Sequence, residues 1–386
     1  MPRWRNWVAT LALCCSAVAA PATEAGFAPE RLERLSGFLQ RSTAPGGYMG
    51  VVALIARDGR IVFQQAHGHR DLARSLPMQT DSIFRIRSMS KLIATVAVMM
   101  LVEEGRLGLD DPVARYLPAF ARSIAVRHLL THTAGFALEG LAGVDLDGAT
   151  SLREYADRVA RVPLGAEPGT RFAYDGVNTE VACRLVEVVA KEPFDRFVQQ
   201  RILGPLGMVD TGFEVPPAQR HRIVELTMMG ADDRLQRIDT PAPGVMQKSY
   251  PSGAGGLYST AADYARFAQM LLNGGTLDGV QLLGRKTVEL MMRNHLSALQ
   301  PPTMPGSPGE GFGLGGSVLL DPAARGRLGS IGQFGWTGSA TTWFTLDREE
   351  RLVAILLMQH LPSDHRADLP RPYAAFQNLV YQALRP

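Results

Sequence analysis

The sequence predicts an α/β (α+β) protein, a sheet assembled from both ends of the chain and flanked by helices, with a mostly helical region inserted between. Three observations predict it. A strand–turn–strand pattern lies near the start, three strand-like runs and a closing helix lie near the end, and helical and loop patterns fill the middle. In residue numbers, 27–90 and 275–386 would form a discontinuous sheet domain and 91–274 the helical one. A cleft between them is the natural place for a site.

Ala28 to Arg41 carries Leu32, Leu35 and Leu39 at helical spacing. Tyr48 to Arg57 and Ile61 to Gln65 read as strands joined by Asp58-Gly59, a pair that tolerates the positive φ values of a tight hairpin. Leu92 to Val102 is almost wholly apolar and stops near Gly105, which suits a buried helix better than a strand. Between Leu107 and Gly274, helices at Thr179–Val189 and Thr260–Leu272 stand among loops rich in Pro and Gly. Gln300 to Gly316 reads as a loop. Strands are expected at Gly316–Leu320, Thr341–Leu346 and Leu352–Gln359, and a last helix at Tyr373–Leu384. No internal repeat is present.

The 386 residues can bury a sizeable core, and 46% hydrophobic with 20% charged residues is ordinary for a soluble enzyme. A net charge of +3, with no basic run, argues against a nucleic-acid partner. The first 20 residues read as a secretory signal peptide. Arg3 and Arg5 open it, Trp7 to Ala20 is apolar, and Ala17-Val18-Ala19 fits a cleavage site. That run is too short to span a membrane. Leu13 before Cys14 and Cys15 is too bulky for a lipid-attachment motif. With the leader removed, Cys183 stands alone and no intrachain disulfide can form. The expectation is an exported protein of a bacterial periplasm or the medium, of unassigned oligomeric state.

Ser88-Met89-Ser90-Lys91 places a hydroxyl and an amine three residues apart at the head of the apolar helix, on one face. A serine hydroxyl needs a neighbouring base to attack a carbonyl near neutral pH, and an apolar helix that withdraws Lys91 from water suits it to that task. Ser90 has Ile93 at the same offset and no such partner.

Further blocks accompany this motif. Ile83-Phe84-Arg85-Ile86-Arg87 precedes it, and Arg127 to Gly135 (RHLLTHTAG), Pro168 to Tyr174 (PGTRFAY), Pro205 to Met208 (PLGM), Gly255 to Thr260 (GGLYST) and Gly335 to Ser339 (GWTGS) follow in order. Together they resemble the serine β-lactamase-related family, which holds class C β-lactamases, D-alanyl-D-alanine carboxypeptidases, D-aminopeptidases and family VIII esterases. The resemblance runs from about Phe27 to the C-terminus. It implies the β-lactamase/transpeptidase-like fold, an antiparallel sheet flanked by helices plus a mostly helical region. It also implies roles: Ser88 as acylated nucleophile, Lys91 taking its proton or acting electrostatically on Tyr174, and Tyr174 carrying a proton to the leaving group. The backbone N–H groups of Ser88 and Ser339 would form the oxyanion hole. Neither metal nor cofactor is implied, and the partner is a small ester or amide.

Two departures bear on substrate. Where β-lactamases and peptidases of the family carry Lys-Thr-Gly, this chain has Trp336-Thr337-Gly338, replacing a charge that meets a substrate carboxylate with an apolar wall and one N–H. Where β-lactamases have Tyr-x-Asn, it has Tyr174-Asp175-Gly176, with Asn178 the nearest amide to reach the substrate. Both point to short-chain carboxylic esters with weak β-lactam turnover. The alternatives are a β-lactamase, a D-amino-acid or D-alanyl peptidase, or a ligand sensor that acylates without turnover.

Other motifs carry less. His67-Gly68-His69-Arg70-Asp71 imitates a zinc-hydrolase motif, but Leu72 stands where its next ligand belongs. His128 and His132 read as buried structural histidines. Gly311 to Gly316 satisfies Gly-x-Gly-x-x-Gly, yet a strand follows rather than the helix a dinucleotide needs. No Gly-x-Ser-x-Gly elbow occurs.

Overall fold

A computed structural model describes residues 25–239 and 241–385; the expected signal peptide at 1–20 lies outside the described residues. Helix α1 (Pro29–Ser42) leads into strands β1 (Gly50–Arg57) and β2 (Arg60–Gly68). Asp58 and Gly59 between them have φ of 54° and 75°, as the tight turn requires. The remaining strands of the sheet come from the far end of the chain: β3 (Glu310–Phe312), β4 (Ser317–Leu319), β5 (Phe334–Gly338), β6 (Thr342–Asp347) and β7 (Leu352–Leu357). They form one seven-stranded sheet in the order β2-β1-β7-β6-β5-β4-β3, antiparallel at every pairing.

Alternation along β1 divides the core. Val51, Ala53 and Ile55 face Leu32, Leu35 and Leu39 of α1 and Phe376 and Val380 of the C-terminal helix α5 (Tyr373–Tyr381). Val52, Leu54 and Ala56 face the opposite, larger core. Each such leucine contributes roughly 1.5–3 kcal/mol by leaving water. The large core also holds helix α2 (Ser90–Glu103), buried from Ser90 to Leu101, and helices α3 (Val177–Ala190) and α4 (Ala261–Leu272). α2 and α3 pack on each other, and α4 lies against β1, β6 and β7. The sheet thus takes a covering helix from within the 91–274 span. Thr260 caps α4 by accepting from the Asp263 amide.

Two features depart from the periodicity reading. The segment read as a loop over Gln300–Gly316 contains edge strand β3. Strand β5 gives no strand pattern in sequence because Gly335 and Gly338 interrupt it. Those glycines are required: a Cβ on Gly335 would overlap the Phe344 carbonyl, and one on Gly338 the Thr342 hydroxyl and the Ile86 carbonyl. The close approach at Gly338 seats the end of β5 on the turn that carries Ser88.

Candidate active site

Ser88 occupies a single 3-10 turn, Arg87–Met89, leading into α2. Arg87 takes a left-handed φ of 50°, so the chain turns sharply just before the nucleophile. The turn is fixed from several sides. Ile86 N–H donates to the Leu257 carbonyl at 3.1 Å, the Thr342 hydroxyl donates to the Ile86 carbonyl at 3.1 Å, and the Tyr264 hydroxyl donates to the Met89 carbonyl at 3.0 Å. Ser90 accepts from the Leu257 amide at 3.2 Å, so it serves as a structural tie while Ser88 faces the cleft.

Lys91, only 4% exposed, brings Nζ to 3.1 Å from Ser88 Oγ and donates to the Ala254 carbonyl at 2.7 Å. The same Nζ lies 4.9 Å from the centroid of the Tyr174 ring. Tyr174 sits on an irregular segment laced to the His132 loop: Gly169 N–H donates to the Thr133 carbonyl at 2.8 Å and Ala173 N–H to the His132 carbonyl at 2.9 Å. Trp336 Nε1 on β5 donates to Tyr174 Oη at 2.7 Å, with the two rings 4.8 Å apart. Because Oη accepts from Trp336, its own proton is left for a group in the cleft. Ser88, Lys91, Tyr174 and Trp336 therefore form one connected set.

Ser88 and Ser339 line the same cavity, of about 860 Å³. Neither backbone N–H takes part in a turn, loop or cap hydrogen bond among the described residues. Gly338, just before Ser339, is packed against Ile86 and Arg87, just before Ser88. One of the expected substrate contacts lies elsewhere. Asn178 is 1% exposed, and its Nδ2 donates to both carboxylate oxygens of Asp175, at 2.9 and 2.8 Å, so its amide does not reach the cleft. Thr337 follows Trp336 on β5, where it pairs with Trp343. With Trp336, Gly338 and Ser339 it lines a neighbouring cavity of about 420 Å³, which meets the nucleophile's cavity at Ser339.

The histidines have separate duties. His128 Nδ1 accepts from the Ala125 amide at 3.1 Å. His132, 2% exposed, packs against Tyr174 with ring centroids 4.6 Å apart. Burial first, and the nearby Lys91 second, hold it well below the usual imidazole range, so it stays neutral beneath the site. In the zinc-like segment, His67 bonds to Gln65 at 2.9 Å and Asp71 accepts from the amides of Ser75 and Leu76. Among the described residues no group of three or more His, Cys, Asp or Glu side chains is placed to hold a metal.

The sequence reading missed Glu180. It lies on α3, is 3% exposed, and lines the Ser88 cavity. One oxygen accepts from the Ser252 hydroxyl and the other has no partner among the described residues. Burial pushes its carboxyl up to about 7, against the opposing pull of Ser252, Lys91 and the backbone N–H groups of Ala254 and Gly253. A sequence signal existed: the acid stands three residues from both Val177 and Cys183 on a buried stripe.

Comparison with known proteins agrees with this architecture. The family model described as Beta-lactamase matches residues 35–378. Protein Rv1367c of Mycobacterium tuberculosis is 34% identical over 351 residues, 81% of this chain and 86% of its own. Esterase EstB of Burkholderia gladioli is 31% identical over 360 residues, covering 84% and 89%. The structure of EstCE1, described as a hydrolase with promiscuous acyltransferase activity, superposes with a TM-score of 0.79 at 27% identity, covering 92% of this chain and 99% of that one. The chain belongs to the beta-lactamase family of hydrolases.

Proposed function

We propose that the protein is a serine carboxylesterase that cleaves short-chain esters through a Ser88 acyl-enzyme. The observation that carries this reading is the Lys91 Nζ that touches Ser88 Oγ at 3.1 Å and lies against Tyr174, whose Oη is held by Trp336 rather than faced by a lysine. The Ser88 proton passes to Lys91 as Oγ attacks the ester carbonyl, and the oxyanion forms between the amides of Ser88 and Ser339. Tyr174 gives its proton to the leaving alcohol as the C–O bond breaks. The alcohol departs, and water then attacks the acyl-enzyme, the Tyr174 oxygen taking the water's proton while Lys91 returns to Ser88 Oγ the proton it holds as the acyl–oxygen bond breaks.

Trp336 supports the ester reading because it offers a β-lactam carboxylate no positive charge. A β-lactam leaving group also stays tethered and obstructs water, so slow β-lactam turnover is expected beside ester cleavage. The similarity to EstB and EstCE1 supports the same substrate class. Export through a leader at residues 1–20 is part of the proposal.

The test compares 4-nitrophenyl butanoate with a chromogenic cephalosporin, for wild type and Ser88→Ala. Fast, Ser88-dependent ester cleavage with a poor cephalosporin rate is expected. A ranking reversed in favour of the cephalosporin refutes the esterase reading, and full ester activity in Ser88→Ala refutes the mechanism.

A further inference from the structure

The part of the Ser88 cavity lined by Tyr155, Tyr250 and Glu180, its tyrosine arm, carries polar groups that the mechanism does not use. Tyr155 and Tyr250 line it with ring centroids 5.6 Å apart, 7% and 3% exposed, and Glu180 stands beside them. Neither phenol oxygen has a protein hydrogen-bond partner among the described residues, and the second carboxylate oxygen of Glu180 has none either. A buried carboxyl oxygen without a partner costs about 1–3 kcal/mol or more, so a fold keeps one where something else fills the place.

The charged groups acting on the two phenols are carboxylates, while Arg87, Lys91 and Lys248 line the same cavity. Burial first, and then Glu180, Asp175 and Asp147 at Tyr155 and Glu180 and Asp147 among others at Tyr250, raise each phenol's hold on its proton. Lys91 acts on Glu180 electrostatically but is committed to Ser88 and the Ala254 carbonyl, and Arg87 donates to the Gln247 side chain. Lys248, at the rim, is paired with Asp147. Two aromatic rings and an acid with a spare oxygen, beside cations that already have protein partners, form a receptor for a cation: ring faces attract it and the carboxylate accepts its hydrogen bonds.

We infer that this arm is a subsite for a primary ammonium group carried by the substrate, with Glu180 as its acceptor and Tyr155 and Tyr250 as its walls. The inference rests on the reading of Ser88 as an ester-cleaving nucleophile and narrows its substrates to amine-bearing esters or amides. Specificity arises because a neutral chain of the same length leaves Glu180 desolvated and unpaired.

The probe is hexylammonium chloride, with 1-hexanol as the neutral control. Each is tested as an inhibitor of 4-nitrophenyl butanoate cleavage, and each is titrated calorimetrically into Ser88→Ala. Hexylammonium is expected to bind about tenfold or more tightly than hexanol, and Glu180→Gln to bring that ratio close to one. A role for Glu180 in supporting the fold or Lys91 alone would weaken catalysis without moving the ratio. Should Glu180→Gln fail to fold, Asp147→Asn, at a position whose side chain is 89% exposed, is expected to lower the ratio two- to threefold. Equal binding of the two probes overturns the subsite, as does a preference that survives Glu180→Gln. Ammonium binding to Ser88→Ala with no ester cleavage by wild type would refute the esterase reading and leave the subsite standing.

Discussion

Replacing Trp336 with Phe tests whether the indole N–H or only the aromatic surface matters. The ring packs at 4.8 Å from Tyr174 and at 5.1 Å, edge to face, from Phe312, contacts a phenyl ring largely retains. What is lost is the 2.7 Å bond from Nε1 to Tyr174 Oη. A neutral hydrogen bond contributes about 1 ± 0.5 kcal/mol, which corresponds to roughly a two- to tenfold change in rate. Trp336 is only half-buried, so a large stability loss is not expected. The expected outcome for Trp336→Phe is a kcat about fivefold lower on 4-nitrophenyl butanoate, with KM and Tm nearly unchanged. The decisive assay is the double-mutant cycle with Tyr174→Phe, which removes the acceptor. If the bond acts through Tyr174 Oη, Trp336→Phe has little further effect in the Tyr174→Phe background. An equal fivefold loss in both backgrounds would refute the coupling, and Trp336 would then be only a wall of the cleft.

Three other perturbations separate the parts of the site. Lys91→Ala and Tyr174→Phe are each expected to lower kcat by about a hundredfold or more, as loss of a proton-transfer group does, measured in steady-state ester hydrolysis of folded variants. Gly338→Ala forces a Cβ into the Thr342 hydroxyl and the Ile86 carbonyl, so backbone must move. A lower Tm together with a collapse of kcat is expected, because β5 carries Ser339 into place and rests on the Ser88 turn. Glu180 should appear in the pH dependence of stability. Its carboxyl is raised from 4.5 to about 7 in the folded chain, so its protonated form is favoured there. Its contribution is fully present below about pH 4.5, is lost as pH rises through 7, and amounts to something on the order of 3 kcal/mol. Urea unfolding of wild type and Glu180→Gln across that range checks the sign: the difference between the two should shift in favour of Glu180→Gln as pH rises.

Much of the fold was legible because its strongest signals are local. The Asp58-Gly59 turn needs two residues that accept positive φ, and the leucines of α1 repeat at the helical period. The helix ends agree with the sequence reading to within a few residues. Strand β5 was not legible by pattern, since its two glycines answer to neighbours distant in sequence: Phe344 and Thr345 at Gly335, Ile86 and Arg87 at Gly338. Strand β3 was hidden because Pro and Gly around it signal loop, and it pairs only with β4 at the sheet's edge.

The site divides along the same line. Ser88 and Lys91 meet because they are three residues apart on one helix, a relation that any reading of spacing recovers. Tyr174, Trp336 and Ser339 come from three other places in the chain, and only the ordered motif blocks could join them to the nucleophile. Once joined, their geometry gives a reason for the substitution at position 336. A lysine would offer charge to the cleft, whereas the indole instead donates to Tyr174 and presents an apolar face. Asn178 and Glu180 show the limit of reading by proximity. Both stand near Tyr174 in sequence, but α3 turns the amide onto Asp175 and brings the acid to the cavity wall. On a helix, two residues apart means about 200° of rotation, so near neighbours in sequence look in nearly opposite directions. The acid that sequence passed over thus reaches the cavity, while the amide it favoured does not.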